Sequence, residues 1–438
     1  MKRASWLAAA LVSASFLSPG AAQAATEIQW WHAFTGRLQE LLDKQVADFN
    51  ASQSDYVVVA SGKGNYSEAL NAGIAAFRAG EQPHILQVFE VGTATMMAAK
   101  GAIVPVYQVM EESGLPFDPD VYLAAVAGYY TTPDGQMLSL PYNSSTPVLY
   151  INKKALEEAG VDPETAPRTW GEVDELLHAL KAGGAECPLT TAWQSWVHLE
   201  NLSAYHNLPF ATQENGFAGT DAALAFNGEV QVQHIAKMGE WAKDGLFIYG
   251  GRRNEAGAQF RAGECALFTE SSAGYAGIKA EAEFPFSVVS LPYWDDVEGA
   301  PQNTIIGGAS LWVMAGHEPE EYKGVAAFLN YLSSTEVQAA WHQDTGYLPI
   351  TTAAYELTKE QGFYEENPGT DVAIIQMTGK APTPNSKGIR LGSFDQIRAI
   401  IDEELEAVWS GGKDAQTALD DAVSRGDELL RRFERSAQ

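Results

Sequence analysis

The run Ile85-Leu86-Gln87-Val88-Phe89, bounded by Pro83 on one side and by Glu90 and Gly92 on the other, most narrows what this chain can fold into. A near-continuous apolar strand belongs in a parallel sheet covered on both faces, because both of its sides must leave water. Thr93 then opens a helical pattern through Ala99. In such sheets ligands sit in the crevice beyond the carboxyl ends of the strands, and Glu90 falls at such an end. Two readings stand for it: a carboxylate facing a polar ligand in a cleft, or a solvated loop residue.

The neighbouring segments extend the pattern. Ile28 and Trp30 alternate with Glu27 and Gln29 in a first strand, and Leu38, Leu41, Leu42, Val46 and Phe49 then line one helix face. Tyr56–Ala60 reads as a buried strand and Lys63-Gly64-Asn65 as a turn. Tyr66 starts a helix with Leu70, Ile74 and Phe77 on one side. Alternating strand and helix define an α/β sheet with helices on both faces. A chain of 438 residues exceeds one typical core, so two domains are expected. Pro141 and Pro147 flank an extended polar segment that reads as a crossing to the second domain. Val148–Ile151, Cys187–Thr191 and Cys265–Thr269 are strands there, with Thr169 capping a helix at Trp170. Phe286–Tyr293 reads as a strand returning to the first domain. Ile305–Met314 is strand-like, with a glycine pair, Gly307-Gly308, that lets the backbone approach something closely. Two helical segments close the chain.

At the N-terminus, Lys2 and Arg3, an apolar stretch from Trp6 to Leu17 and the small residues Ala22-Gln23-Ala24 make a secretory signal peptide, residues 1–24, cleaved after Ala24. No cysteine stands at the cleavage point to take a lipid, which favours a periplasm. The balance of 28 basic and 56 acidic residues, net −28, argues against nucleic acid and anionic membranes. Cys187 and Cys265 enter an oxidising compartment, either as one disulfide or as two buried thiols. No CxxC, HExxH or calcium-loop ladder is present, which points away from a metal site. P-loop and GxSxG motifs are absent too, so no catalytic residue is assigned; an acidic pair among 56 acids is expected by chance. Tyr66, Trp193, Trp196 and Tyr347 can offer flat faces to a polyol or a quaternary ammonium, although a single Trp is more often core.

Several long strings are similar to one family. They are Lys63-Gly64-Asn65-Tyr66, Glu90-Val91-Gly92-Thr93-Ala94-Thr95-Met96-Met97, Asn143-Ser144-Ser145-Thr146-Pro147, Ile305-Ile306-Gly307-Gly308-Ala309-Ser310-Leu311-Trp312, Thr345-Gly346-Tyr347-Leu348-Pro349-Ile350 and Arg390-Leu391-Gly392 with Gln396-Ile397-Arg398. Together they resemble the glycerol-3-phosphate-binding periplasmic proteins of ABC uptake systems. Phe89 for Tyr, Tyr142 for Phe, and Trp30 before Trp31-His32 depart from the family pattern.

The resemblance implies a two-lobed, maltose-binding-like (type II) periplasmic-binding-protein fold with a hinged cleft. Its N-terminal lobe would span 25–140 and 288–333, and its C-terminal lobe 141–287 and 334–438. It further implies a monomer without cofactor that delivers sn-glycerol 3-phosphate, or diesters such as glycerophosphocholine, to the transmembrane subunits of an ABC permease. The ligand-facing residues it implies are Tyr66, Glu90, Ser145, Ser271, Gly308, Tyr347 and Arg398, with Trp193 and Trp196 as an aromatic wall. In that scheme Arg398 grips the phosphate, aided by the hydroxyls and the Gly308 N–H, while Glu90 accepts from the glycerol diol. The rival readings are a neutral-sugar or oligosaccharide binder on the same fold, and a secreted glycerophosphodiester phosphodiesterase.

Overall fold

The computed structural model describes residues 25–437; the expected signal segment lies outside the described residues. Five strands come first: β1 (Thr26–His32), β2 (Tyr56–Gly62), β3 (Ile85–Phe89), β4 (Ile103–Val104) and β5 (Leu140–Ser145). Four more follow, β6 (Pro147–Asn152), β7 (Cys187–Thr191), β8 (Cys265–Ser271) and β9 (Phe286–Ser290), and then β10 (Gly307–Met314). The first sheet runs β2-β1-β3-β10-β4 with β5 also on β10, and the second runs β7-β8-β6-β9.

Local chemistry sets these elements. β1, β2 and β3 are parallel, as their connecting helices Gly36–Ser52 and Tyr66–Ala79 require. The second of those helices is bounded by a capping box between Asn65 and Glu68 and by Gly80 in the left-handed region, so sequence fixes both its ends. All five residues of β3 are buried. Its parallel neighbour is β1 alone. β10 lies antiparallel on its other edge, so the sheet is mixed where a parallel one was expected. In the first lobe Trp30 packs edge-on against Tyr142 at 5.4 Å, and Tyr142 stacks on Trp341 at 5.1 Å. Trp170, Trp241 and Phe247 are fully enclosed in the second.

The crossings differ from the sequence reading in three places. β5 pairs with β10, so the passage to the second sheet falls at Thr146 rather than at 141. β9 pairs with β6 and stays in the second sheet; the return comes with β10. Helix Thr335–Thr345 docks on the first lobe, where Trp341 meets Phe34 at 5.9 Å, and Leu123 N–H donates to the Ile350 carbonyl at 2.9 Å. The physical reason is common to all three: an extended strand or amphipathic helix carries no mark of which sheet or apolar face it will join. The two passages lie side by side, with Thr304 Oγ1 donating to Thr146 Oγ1 at 3.0 Å, and this makes a paired hinge.

Cys187 and Cys265 sit in register on the adjacent parallel strands β7 and β8 and form a disulfide across 78 residues of chain. Loop closure of that size is worth about 4 kcal/mol in the chain-entropy account. Reduction, or the double Cys→Ala variant, is expected to lower unfolding free energy by up to roughly that amount, measured by urea denaturation with and without reductant. An unchanged midpoint would show that the bond adds nothing.

Candidate ligand-binding site

One cavity between the lobes gathers all nine residues singled out from the sequence. Tyr66, Glu90, Ser145, Gly308 and Tyr347 come from the first lobe, and Trp193, Trp196, Ser271 and Arg398 from the second. The wall also includes Phe89, Asn254, Glu270 and Gly307, which sequence reasoning did not propose.

Glu90 follows the last residue of β3 and begins a one-turn helix, which turns its side chain into the cleft. There it meets Arg398, from helix Phe394–Trp409, at 2.7 Å. Arg398 is also gripped by Glu200, Nε to Oε1 at 2.8 Å and Nη2 to Oε2 at 2.7 Å. The three residues are between 2% and 8% exposed. Burial opposes the guanidinium charge, but the carboxylates of Glu200 and Glu90 more than offset it and hold the Arg398 pKa above its ordinary value. Burial drives the Glu90 carboxyl upward, with Arg398 opposing.

The geometry bears on the division of labour expected for these two residues. Glu90 and Arg398 are bonded to each other, and the guanidinium edge that would chelate a phosphate is occupied by Glu200. Among the described residues, only Nη1 of this guanidinium has no hydrogen bond. Glu200 was missed because nothing in its sequence context separates it from the other acids. It is placed by a π-helical turn, Trp196–Asn201, that aims Trp196 and Glu200 together.

The remaining wall is rich in neutral donors. Ala33 N–H donates to Gln87 Oε1 at 2.9 Å, which fixes the Gln87 amide. Its Nε2 donates to Asn143 Oδ1 at 2.9 Å, and Asn143 Nδ2 donates to the Tyr66 hydroxyl at 2.9 Å. A backbone N–H heads this chain, so each orientation is forced, and the Tyr66 proton is left to point toward Tyr347 or the cavity. Tyr66 lies flat on Phe89, ring centres 5.3 Å apart, and burial pushes its pKa up to about 12. Ser271 Oγ accepts from Ala273 N–H at 3.1 Å, which leaves its hydroxyl proton free. The buried Trp196 indole N–H has no acceptor among the described residues. Gln87, a buried amide inside an apolar strand, was the one signal in the sequence that could have revealed this relay.

The glycine pair has a steric role. A Cβ on Gly308, at φ +99°, would lie 1.8 Å from the Asn143 carbonyl oxygen, and one on Gly307 would lie 2.6 Å from the Trp196 ring. Away from the cavity, His84, His317 and Glu321 cluster, with the imidazoles stacked at 3.9 Å. His84 Nδ1 accepts from Gln29 N–H at 2.9 Å, so Nε2 carries the proton and faces Glu321 at 3.3 Å. That tautomer offers no lone pair to a metal.

A two-lobed α/β chain whose hinged cleft encloses a polar, aromatic-walled cavity has the architecture of a solute-binding protein. The model of the bacterial extracellular solute-binding proteins matches residues 44–370, and the chain belongs to that family. It is 55% identical over 416 residues to the sn-glycerol-3-phosphate-binding periplasmic protein UgpB of Yersinia pseudotuberculosis, covering 95% of this chain and 94% of that one. The protein of the same name from Escherichia coli K12 is 54% identical over 420 residues, 96% of each chain. Among solved structures, UgpB from Mycobacterium tuberculosis in complex with glycerophosphocholine matches with a TM-score of 0.75 at 20% identity, covering 93% of this chain and 99% of that one. Maltose-bound MalE3 from T. maritima matches with a TM-score of 0.76 at 18% identity, covering 93% and 100%. At such identities these two show the fold.

Two buried acids have no salt bridge among the described residues. Burial pushes Glu270 up to about 8 and Asp402 up to about 7. A folded pKa above the unfolded one means that the native state holds the proton longer, so each acid's contribution to stability falls as pH rises toward its folded value. Glu270→Gln is therefore expected to gain Tm relative to the parent from about pH 5 up to about pH 8 and then level off. Thermal melts of both proteins across that range check it, and a difference independent of pH would contradict it.

Proposed function

We propose that this chain is the periplasmic binding component of an ABC importer and that its cavity takes sn-glycerol 3-phosphate and glycerophosphodiesters for delivery to a membrane permease. The observation that carries the reading is the pairing of an Arg398-centred triad with Glu90 and Glu200 and a wall of neutral donors in one closed cleft. The names of the relatives that match along nearly the whole chain support the choice of ligand. Binding without chemistry is part of the same proposal.

Roles are assigned by donor accounting. A hydroxyl both gives and accepts, and a Glu–Arg pair with one free carboxylate edge and one free Nη1 answers two adjacent hydroxyls. A dianionic phosphate there would sit against two carboxylates, so the glycerol diol belongs at the triad. The phosphate then falls to the Tyr66, Ser145 and Ser271 hydroxyls. Neutral donors can hold an anion in a dry site because each bond to a charged acceptor is stronger than a neutral one. Gly308 lines the same cavity, its missing side chain making room for the Asn143 carbonyl.

Ligand contacts from both lobes favour the closed hinge state, and that state is the form offered to the permease. Titration followed by Trp fluorescence should show saturable binding of glycerol 3-phosphate and glycerophosphocholine and none of maltose; a response to maltose alone would overturn the reading. Glu90→Gln and Glu200→Gln should each weaken glycerol 3-phosphate by roughly 10- to 100-fold, the range for breaking a buried charged hydrogen bond. Glu200 does so without touching ligand. Retained affinity in both variants would remove the triad from recognition.

A further inference from the structure

We propose that Glu270, with Trp193 and Trp196, forms a subsite for a cationic head group, so that the cavity distinguishes diesters of amino alcohols from those of neutral alcohols. This rests on the glycerophosphodiester reading above and names the part of the ligand that reading leaves open.

Glu270 is the next-to-last residue of β8, lines the cavity wall and is 4% exposed. Unlike Glu90 and Glu200, which share Arg398, and Glu404, which holds Lys413 at 2.5 Å, it has no basic partner among the described residues. A buried carboxylate without a cation is costly, so the group either keeps its proton or awaits a positive charge.

The surroundings are arranged around it. Ala192 N–H donates to the Thr269 carbonyl at 2.9 Å, which sets Trp193 beside Glu270 where the strands β7 and β8 end. Trp193 adopts φ 48°, a left-handed conformation unfavourable for a bulky side chain. Gly274 leaves the space needed: a Cβ there would lie 2.7 Å from Glu270 Cγ. Indole faces with an adjacent carboxylate are the chemistry that recognises an ammonium group.

The groups acting on Glu270 are few. Burial raises its pKa first, to about 8; Ser271 N–H, Arg261 and the Trp193 side chain lower it, and Glu255 raises it. Ser271 N–H donates to Oε1 at 2.6 Å, and Arg261 is already bridged to Glu281 at 2.7 Å. Tyr150, on β6, faces it as a neutral phenol. In the ligand-free protein near neutral pH the carboxyl is therefore mostly protonated and tolerates an anionic phosphate nearby. A head-group cation expels the proton. An opposite charge at contact lowers a carboxylate pKa by roughly one to three units, which for a group starting near 8 linkage converts to a preference of roughly twofold to a hundredfold at pH 7.

The test is calorimetry at pH 7, in buffers of differing ionisation enthalpy, with glycerophosphocholine and with glycerophosphoglycerol, whose head is neutral. Neither diester titrates in this range. Glycerophosphocholine should release between about half a proton and one proton, with affinity rising from about pH 6 to about pH 8; glycerophosphoglycerol should release none. Glu270→Gln keeps the acceptor for Ser271 N–H and should abolish proton release. It should weaken glycerophosphocholine by between about twofold and about a hundredfold, and by more than it weakens glycerophosphoglycerol. Equal effects on both diesters, or no proton release, would reduce Glu270 to a structural residue and overturn the inference while leaving the glycerophosphodiester reading standing. Binding of neither diester would overturn both.

Discussion

Arg398 is the residue on which the arrangement depends. It comes from the second lobe, is almost wholly buried, and holds one carboxylate from each lobe. Such a triad is sustained only if every charged group finds a partner, because an unpaired buried charge costs several kcal/mol. The Arg398–Glu90 bond is therefore also a latch across the cleft, joined by Ser67 Oγ to Asp395 Oδ1 at 2.7 Å and Arg253 Nη2 to Ser67 Oγ at 3.0 Å. The same contacts that shape the site thus favour closure.

The triad also resolves a difficulty of charge. A chain with a net charge of −28 that binds an anion must overcome its own field. A lone arginine would do so by direct pairing. Here the arginine is spent on two acids, and anion binding is left to short-range neutral donors, against which distant surface charges are screened within about 10 Å. Their orientation matters more than their number, and it is inherited from Ala33 N–H through Gln87 and Asn143 to Tyr66. Protonated Glu270 fits the same economy, since it adds no negative charge until a cation arrives.

Much of this was legible in the residues. Helix Tyr66–Ala79 is written in its caps, and β3 in its apolar run. Family-like strings placed nine residues that converge on one cavity. What they touch was not legible. Arg398 and Glu90 are 308 positions apart, and no local pattern marks their contact. The same holds for Glu200, one acid among 56, and for β9, whose alternation suits either sheet.

The sequence by itself therefore determined the elements and their alternating α/β order, because these follow from periodicity, caps and turns within a few residues, while the two-lobed fold and the list of site residues came from its resemblance to a family. The tertiary structure decided that the carboxylate at the end of β3 faces an arginine already claimed by a second acid, that the cysteines are bonded, and that Glu270 is enclosed without a cation. Those outcomes depend on burial and on distances between remote segments, and in a low-dielectric interior it is distance that sets which charges pair.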